Sequence, residues 1–121
     1  MKECISLSLE LLLDTLVGFG LKRTDAQVYA FLAKSGPHRG KDLVSALKIT
    51  KQQLYPSLKN LQERGIINST FERPALFFAV PIEKVLDTFI KARIEELQRM
   101  IQNKEELLSS WQSMTRNDSR T

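Results

Sequence analysis

Thr50-Lys51-Gln52-Gln53-Leu54-Tyr55-Pro56-Ser57-Leu58-Lys59-Asn60-Leu61-Gln62-Glu63-Arg64-Gly65 is the stretch on which the fold turns. Thr50 followed three residues later by Gln53 is a capping box, in which a hydroxyl and an amide satisfy the open N–H groups of a helix start. Leu54, Leu58 and Leu61 then recur at spacings of four and three, the signature of one buried helical face. Gly65 stands where a helix ends by turning left-handed. The stretch therefore predicts a helix over about 51–64. Its outward side carries Lys51, Gln52, Gln53, Lys59 and Asn60. Pro56 lies inside it and removes the hydrogen bond to the Gln52 carbonyl, which predicts a kink or an irregular first turn.

Upstream, Lys48-Ile49 reads as a tight turn, preceded by a short helix over about Gly40 to Leu47 that buries Leu43, Val44 and Leu47. Before that, Thr24-Asp25-Ala26-Gln27 reads as a second capping box. It opens a helix with Ala26, Tyr29, Ala30, Leu32 and Ala33 on its apolar face, stopped by Gly36-Pro37. Residues 5–18 form a further helix with the stripe Ile5, Leu9, Leu12 and Leu16, ended by Gly18 and Gly20. This segment contains Glu10 and Asp14 and is too short and polar to span a bilayer. Met1-Lys2-Glu3 lacks the positive cluster of a signal peptide.

Downstream the pattern changes. Ile66–Phe71 and Leu76–Val80 are rich in β-branched and aromatic residues, and Glu72-Arg73-Pro74-Ala75 separates them, which predicts a β-hairpin over about 66–80. Pro81 suits the first turn of a last helix, over about 82–114. At ~1.5 Å per residue that helix is near 50 Å long, more than a domain of this size can cover at both ends. Ile90, Ile94, Leu97, Ile101, Lys104, Leu108 and Trp111 follow one another at alternating spacings of four and three, a coiled-coil seam with one lysine in the row. Residues 115–121 are polar and read as a frayed tail.

The fold class expected is mainly α (α+β): a winged helix-turn-helix with an extra N-terminal helix and a long C-terminal coiled-coil helix. Residues 1–81 form the winged domain and 82–114 the dimerisation helix. A helix fits the major groove of DNA with its first turn at the base edges, and a following hairpin lies on the backbone or in the minor groove. Lys51, Gln52 and Gln53 are the candidate base contacts, since glutamine pairs with adenine and lysine with guanine. Arg39, Lys41, Lys48, Thr50 and Lys59 are candidate phosphate contacts. Tyr55 is either a rim residue or a further phosphate contact, and Arg73 sits at the wing tip. Ile90, Ile94, Leu97, Ile101, Leu108 and Trp111 are the candidate dimer interface.

Charge supports this placement. Residues 22–64 carry nine Lys/Arg against three Asp/Glu, whereas 83–106 carry five against six. The positive excess thus lies in the DNA-reading segment and not along the long helix. The 121 residues contain one cysteine, Cys4, so no intrachain disulfide forms, which fits a cytoplasmic location. The single histidine, His38, reads as a solvent-facing loop residue. No Cys/His cluster has metal spacing and no Gly-rich phosphate loop occurs, so no metal, cofactor or enzymatic activity is expected. Glu95-Glu96 and Glu105-Glu106 read as solvated charges.

Read in order, Gly20-Leu21, Thr24 to Tyr29, Ser35-Gly36-Pro37, Gln53-Leu54-Tyr55, Leu58 to Leu61, Glu63 to Ile67, Arg73-Pro74 and Phe77 to Pro81 form a series. In this series Leu21 to Ala79 resembles the N-terminal winged-helix domain of archaeal TrmB-type transcriptional regulators. The resemblance implies a dimeric regulator whose partners are double-stranded DNA and a second copy of itself. It implies DNA contacts from the helix over 51–64 and from the wing; the residues themselves show no membrane segment, and no small-molecule ligand is evident. The competing reading is a winged-helix protein-interaction or chromatin-associated module without sequence-specific readout.

Overall fold

The computed structural model describes residues 2–119, with side chains for residues 8–116. Five helices and three short strands follow in the order α1 (Lys2–Gly18), α2 (Arg23–Ser35), β1 (His38–Arg39), α3 (Gly40–Leu47), α4 (Lys51–Glu63), β2 (Ile67–Ser69), β3 (Leu76–Ala79) and α5 (Ile82–Ser119). This is a winged helix-turn-helix. The chain divides into two compact units, the first ending at Val85 and the second beginning at Leu86.

The core of the first unit gathers on α2. Ala26, Val28, Tyr29, Ala30 and Leu32 are buried there, and α1, α4 and β3 pack around them. Leu54, Leu58 and Leu61 seat α4 on this core, at the spacings that predict its apolar face. Leu43 is fully buried on α3, with Val44 and Leu47 half-buried. Val85 closes the unit at 2% exposure, so the first turn of α5 belongs to it.

Two helices end by the same device. After α4, Gly65 takes φ 75°, its N–H donates to Gln62 O at 3.0 Å and the Ile66 N–H donates to Leu61 O at 2.9 Å. After α1, Gly20 takes φ 106°, with Gly20 N–H to Val17 O at 2.9 Å and Leu21 N–H to Leu16 O at 3.2 Å. Each is a Schellman turn, and each is sealed by a buried apolar pair, Leu61 with Ile66 and Leu16 with Leu21.

Several expectations need correction. The capping box at Thr24–Gln27 does not form. The helix starts at Arg23 with Lys22 as N-cap and no side-chain cap, which carries Asp25 into the buried first turn. On α1 the expected Leu16 is fully buried and Leu12 half-buried, but Leu13 is buried as well and Leu9 is 37% exposed; Ile5 and Cys4 lie outside the described side chains. Ala33 is exposed. The hairpin is part of a three-stranded sheet of order β1-β3-β2, in which His38 pairs with Phe77 and Arg39 with Leu76. His38 is accordingly half-buried and not solvent-facing: its Nδ1–H donates to Gly36 O at 2.8 Å, and its ring tilts against Phe31 at 5.0 Å. Phe71 lies outside the strands, fully exposed in the wing loop. Pro56 does not interrupt α4: it stands sixth in the helix, past the first turn, and the helix continues to Glu63 without the bond to the Gln52 carbonyl that a proline cannot make. The last helix runs on to Ser119, five residues past Met114.

Tyr29 fastens the wing to the core. It is wholly buried, and its hydroxyl donates to Val80 O at 2.6 Å. Burial pushes its pKa from 10.0 up to about 12. A raised pKa means that the folded chain holds this proton longer than the unfolded chain. The contribution is therefore intact below pH 10 and is lost as pH rises from 10 towards 12. Tyr29→Phe is expected to cost about 1 kcal/mol at neutral pH through the unpaired carbonyl. It should also flatten the alkaline loss of stability in urea titrations at pH 9 and pH 11. A wild-type stability curve no steeper than that of the variant would refute the assignment.

Candidate nucleic-acid interface

The reading element is built from its N-terminus. Thr50 takes an extended conformation, its Oγ1 accepts from the Gln53 N–H at 3.2 Å, and its own N–H donates to Gln53 Oε1 at 3.0 Å. The predicted capping box is thus closed, and the first turn of α4 is rigid. Lys48 links α3 to α4 in the left-handed region, at φ 55° and ψ 44°. Such a conformation costs a non-glycine residue about 1–2 kcal/mol. A lysine that holds it turns α4 sharply away from α3 while keeping its charge exposed at the turn.

Lys51, Gln52, Gln53, Tyr55, Pro56 and Lys59 are all exposed on α4, opposite Leu54, Ser57, Leu58 and Leu61. Gln53 differs from its neighbours because its amide oxygen is already used by the cap. A bidentate adenine contact uses both the oxygen and the nitrogen of an amide, so at Gln53 it would share the oxygen that the Thr50 N–H already engages. Gln52 carries no such commitment among the hydrogen bonds described.

The helix stands between two clefts. On the wing side a cleft of about 900 Å³ brings together Arg39 from β1, Lys41 from α3, Tyr55 from α4 and Arg73 from the wing loop. Tyr55 is 52% exposed, and its Oη lies 3.1 Å from where a Cβ on Gly40 would sit, so the glycine lets the phenol lie flat over the start of α3. Asp42 and Glu72 also line this cleft and reduce its net charge. On the other side a cleft of about 550 Å³ between α4 and α2 holds Lys22, Gln52, Gln53, Pro56 and Arg64.

The structure therefore gathers Arg39, Lys41, Tyr55 and Arg73, and sets Gln52 with Gln53. Thr50 and Lys48 stand at the head of α4. Lys51 and Lys59 lie on its exposed face and line neither cleft. Sequence reasoning missed Lys22 and Arg64; the spacing of Arg64 four residues after Asn60, one helical turn, is the only signal for either.

Asn60 does not face outward. Its Nδ2 donates to the buried Asp25 Oδ2 at 2.8 Å, and its Oδ1 accepts from Arg64 Nε at 3.3 Å. Asp25 is 2% exposed, so this amide ties α4 to α2 at the floor of the second cleft. One side chain thereby joins the core to a surface cation.

In the second unit, Ile90, Ile94, Leu97, Ile101, Leu108 and Trp111 are between 46% and 60% exposed. Among the described residues no group of three or more His, Cys, Asp or Glu side chains could hold a metal ion, and no helix is long and apolar enough to cross a membrane.

Comparison with known proteins agrees with this architecture. Residues 16–83, more than half of the chain, match the family of sugar-specific transcriptional regulators TrmB. The HTH-type sugar sensing transcriptional regulator TrmBL1 of Pyrococcus furiosus is 28% identical over 91 residues, which are 75% of this chain and 27% of that protein. The chain thus spans about a quarter of its curated relative. Among solved structures, TrmBL2, an archaeal chromatin protein with a novel mode of DNA binding, superposes with a TM-score of 0.78 at 20% identity, over 85% of this chain and 40% of that one. The ST1889 protein of Sulfolobus tokodaii gives 0.63 at 23% identity, over 75% of this chain and 97% of its own. Transcriptional regulator Tm0710 of Thermotoga maritima gives 0.56 at 17% identity, over 98% and 91%. At these identities the structural likenesses establish the shared fold.

Proposed function

Because the chain belongs to the TrmB family, we propose that it is a transcription regulator that binds double-stranded DNA as a homodimer, with α4 in the major groove and the β2–β3 wing on the backbone or in the minor groove. The observation that carries this reading is α4 standing as a ridge between two clefts lined with cations. A helix in the major groove has a phosphate strand on either side. Arg39, Lys41, Tyr55 and Arg73 meet one strand, and Lys22 and Arg64 the other. Lys48 and Thr50 take a phosphate at the head of α4. Lys51 and Gln52 read bases, Gln53 holds the turn that presents them, and Lys59 follows two turns on. A second copy binds through the seam from Ile90 to Trp111 and supplies the second reading helix.

Selection of bound duplexes from a random pool tests this. The expected product is an inverted repeat with half-sites about one helical turn apart. Affinity should fall steeply with salt, each neutralised phosphate adding ~0.9 to the slope of log K against log salt. Failure to bind any duplex at low salt would leave a protein-interaction module as the surviving reading. Binding without a motif would leave a chromatin-type role.

Lys48→Gly separates charge from fold. Glycine adopts the left-handed turn without strain, so stability should stay within about 1 kcal/mol of wild type. The salt slope should drop by about one phosphate. An unchanged slope would remove Lys48 from the interface.

A further inference from the structure

The exposed apolar residues of α5 extend beyond the seam. Met100, Leu107 and Met114, at 58%, 67% and 58% exposure, recur every seven residues along one flank of it. The other flank, at the same interval, reads Lys91, Gln98, Glu105 and Gln112. Arg93 heads the first flank, so that border of the seam is apolar from Met100 onward, while the other is polar and charged throughout.

This asymmetry distinguishes the two ways in which identical helices can pair. In a parallel pair each flank faces the opposite flank of its partner, on both sides of the seam. Met100 and Leu107 would then lie against Glu105 and Gln112 of the partner subunit, desolvating polar groups without pairing them. In an antiparallel pair like faces like. The flanks of Arg93, Met100, Leu107 and Met114 meet on one side, with methionine against methionine at their centre, and the polar flanks meet on the other.

Charge also selects the register. Sliding the antiparallel pair by whole heptads brings Lys91 opposite Gln98, Glu105 or Gln112 of the partner subunit. Only the middle register sets Lys91 against a carboxylate, and symmetry makes that ion pair twice. It also sets Ile101 against Leu97, and Ile90 against Leu108, of the partner subunit. We propose that two copies of α5 pair antiparallel in this register, with Met100 of each copy meeting at the two-fold axis. The proposal rests on the homodimer reading and adds its orientation.

The orientation sets how far apart the two first units join the paired helices. Leu86, where the first unit joins the helix, falls opposite residue 112 of the partner subunit. The two junctions are then about 26 residues apart along the axis, or ~39 Å. A parallel pair would leave them ~10 Å apart, the separation of packed helices.

A spin label on Ser110→Cys, in a Cys4→Ser background of the full chain, measures the orientation directly. The antiparallel register places the two labels about 22 residues apart, ~33 Å; a parallel pair keeps them under about 20 Å. In parallel, Lys91→Glu should weaken the dimer several-fold by sedimentation, and adding Glu105→Lys should restore it. A short label distance, or no rescue, overturns the antiparallel register and leaves the homodimer in place. A chain that stays monomeric at the labelling concentration overturns both, while duplex affinity reports on DNA binding separately.

Discussion

A chain carrying Leu97→Glu together with Ile101→Glu is expected to sediment as a monomer and to bind its operator at least ~100-fold more weakly. Both side chains lie more than half exposed in the single chain and sit at the centre of the seam, at 57% and 58%. Fully burying such a residue is worth about 1.5–3 kcal/mol. The double change removes that gain in both subunits and confronts a dimer with four carboxylates. The loss of DNA affinity follows from bivalency. One subunit bound to its half-site holds the other at a high effective concentration, which raises affinity by ~10²–10⁴ over a single site. The monomer keeps its reading helix and its clefts, so its residual affinity should equal that of the isolated winged unit. Sedimentation and fluorescence anisotropy on one preparation check both halves. A persistent dimer would place the interface elsewhere; a monomer with full affinity would mean that one reading helix suffices.

The second large effect is expected in the core. Asn60→Ala should destabilise the fold by about 3 kcal/mol, read as a fall in the urea midpoint with unchanged slope. The variant strands the Asp25 carboxylate at 2% exposure without its amide donor, and a buried ionised group deprived of its partner costs more than the bond itself contributed. It also frees Arg64, whose Nε donates to the same amide. The double variant Asp25→Ala with Asn60→Ala should cost less than the sum of the singles, by about 1–2 kcal/mol, because the second change removes the charge that the first leaves unpaired. Strict additivity, or a loss below about 1 kcal/mol for Asn60→Ala alone, would show that water compensates the carboxylate.

These two predictions differ in how far the residues alone foretold them. The seam was legible because alternating spacings of four and three are a property of one helix and need no neighbour to be recognised. The buried pair was not. Asp25 and Asn60 are both polar, stand 35 positions apart, and sit within patterns that assign the first to a cap and the second to an exposed face. Gln53 shows both kinds of signal, since its spacing from Thr50 marks the cap while its exposed place on α4 marks a base contact that would share the same oxygen.

Local rules decided what depends on near neighbours in the chain. The closed box at Thr50, the buried leucines of α4, the left-handed Gly65 and the hairpin following it all follow from spacings of a few residues, because backbone hydrogen bonding and side-chain periodicity act over one or two turns. Tertiary packing decided what depends on distant partners. It added His38–Arg39 to the sheet, buried Leu13 on α1 beside the expected Leu16, seated Tyr29 under Val80, and set Lys22 beside Gln52. A two-residue strand has no periodicity to detect, and which leucines of an apolar helix are covered depends on where its neighbour crosses it. Such choices are made by contacts between segments that only the folded chain brings together.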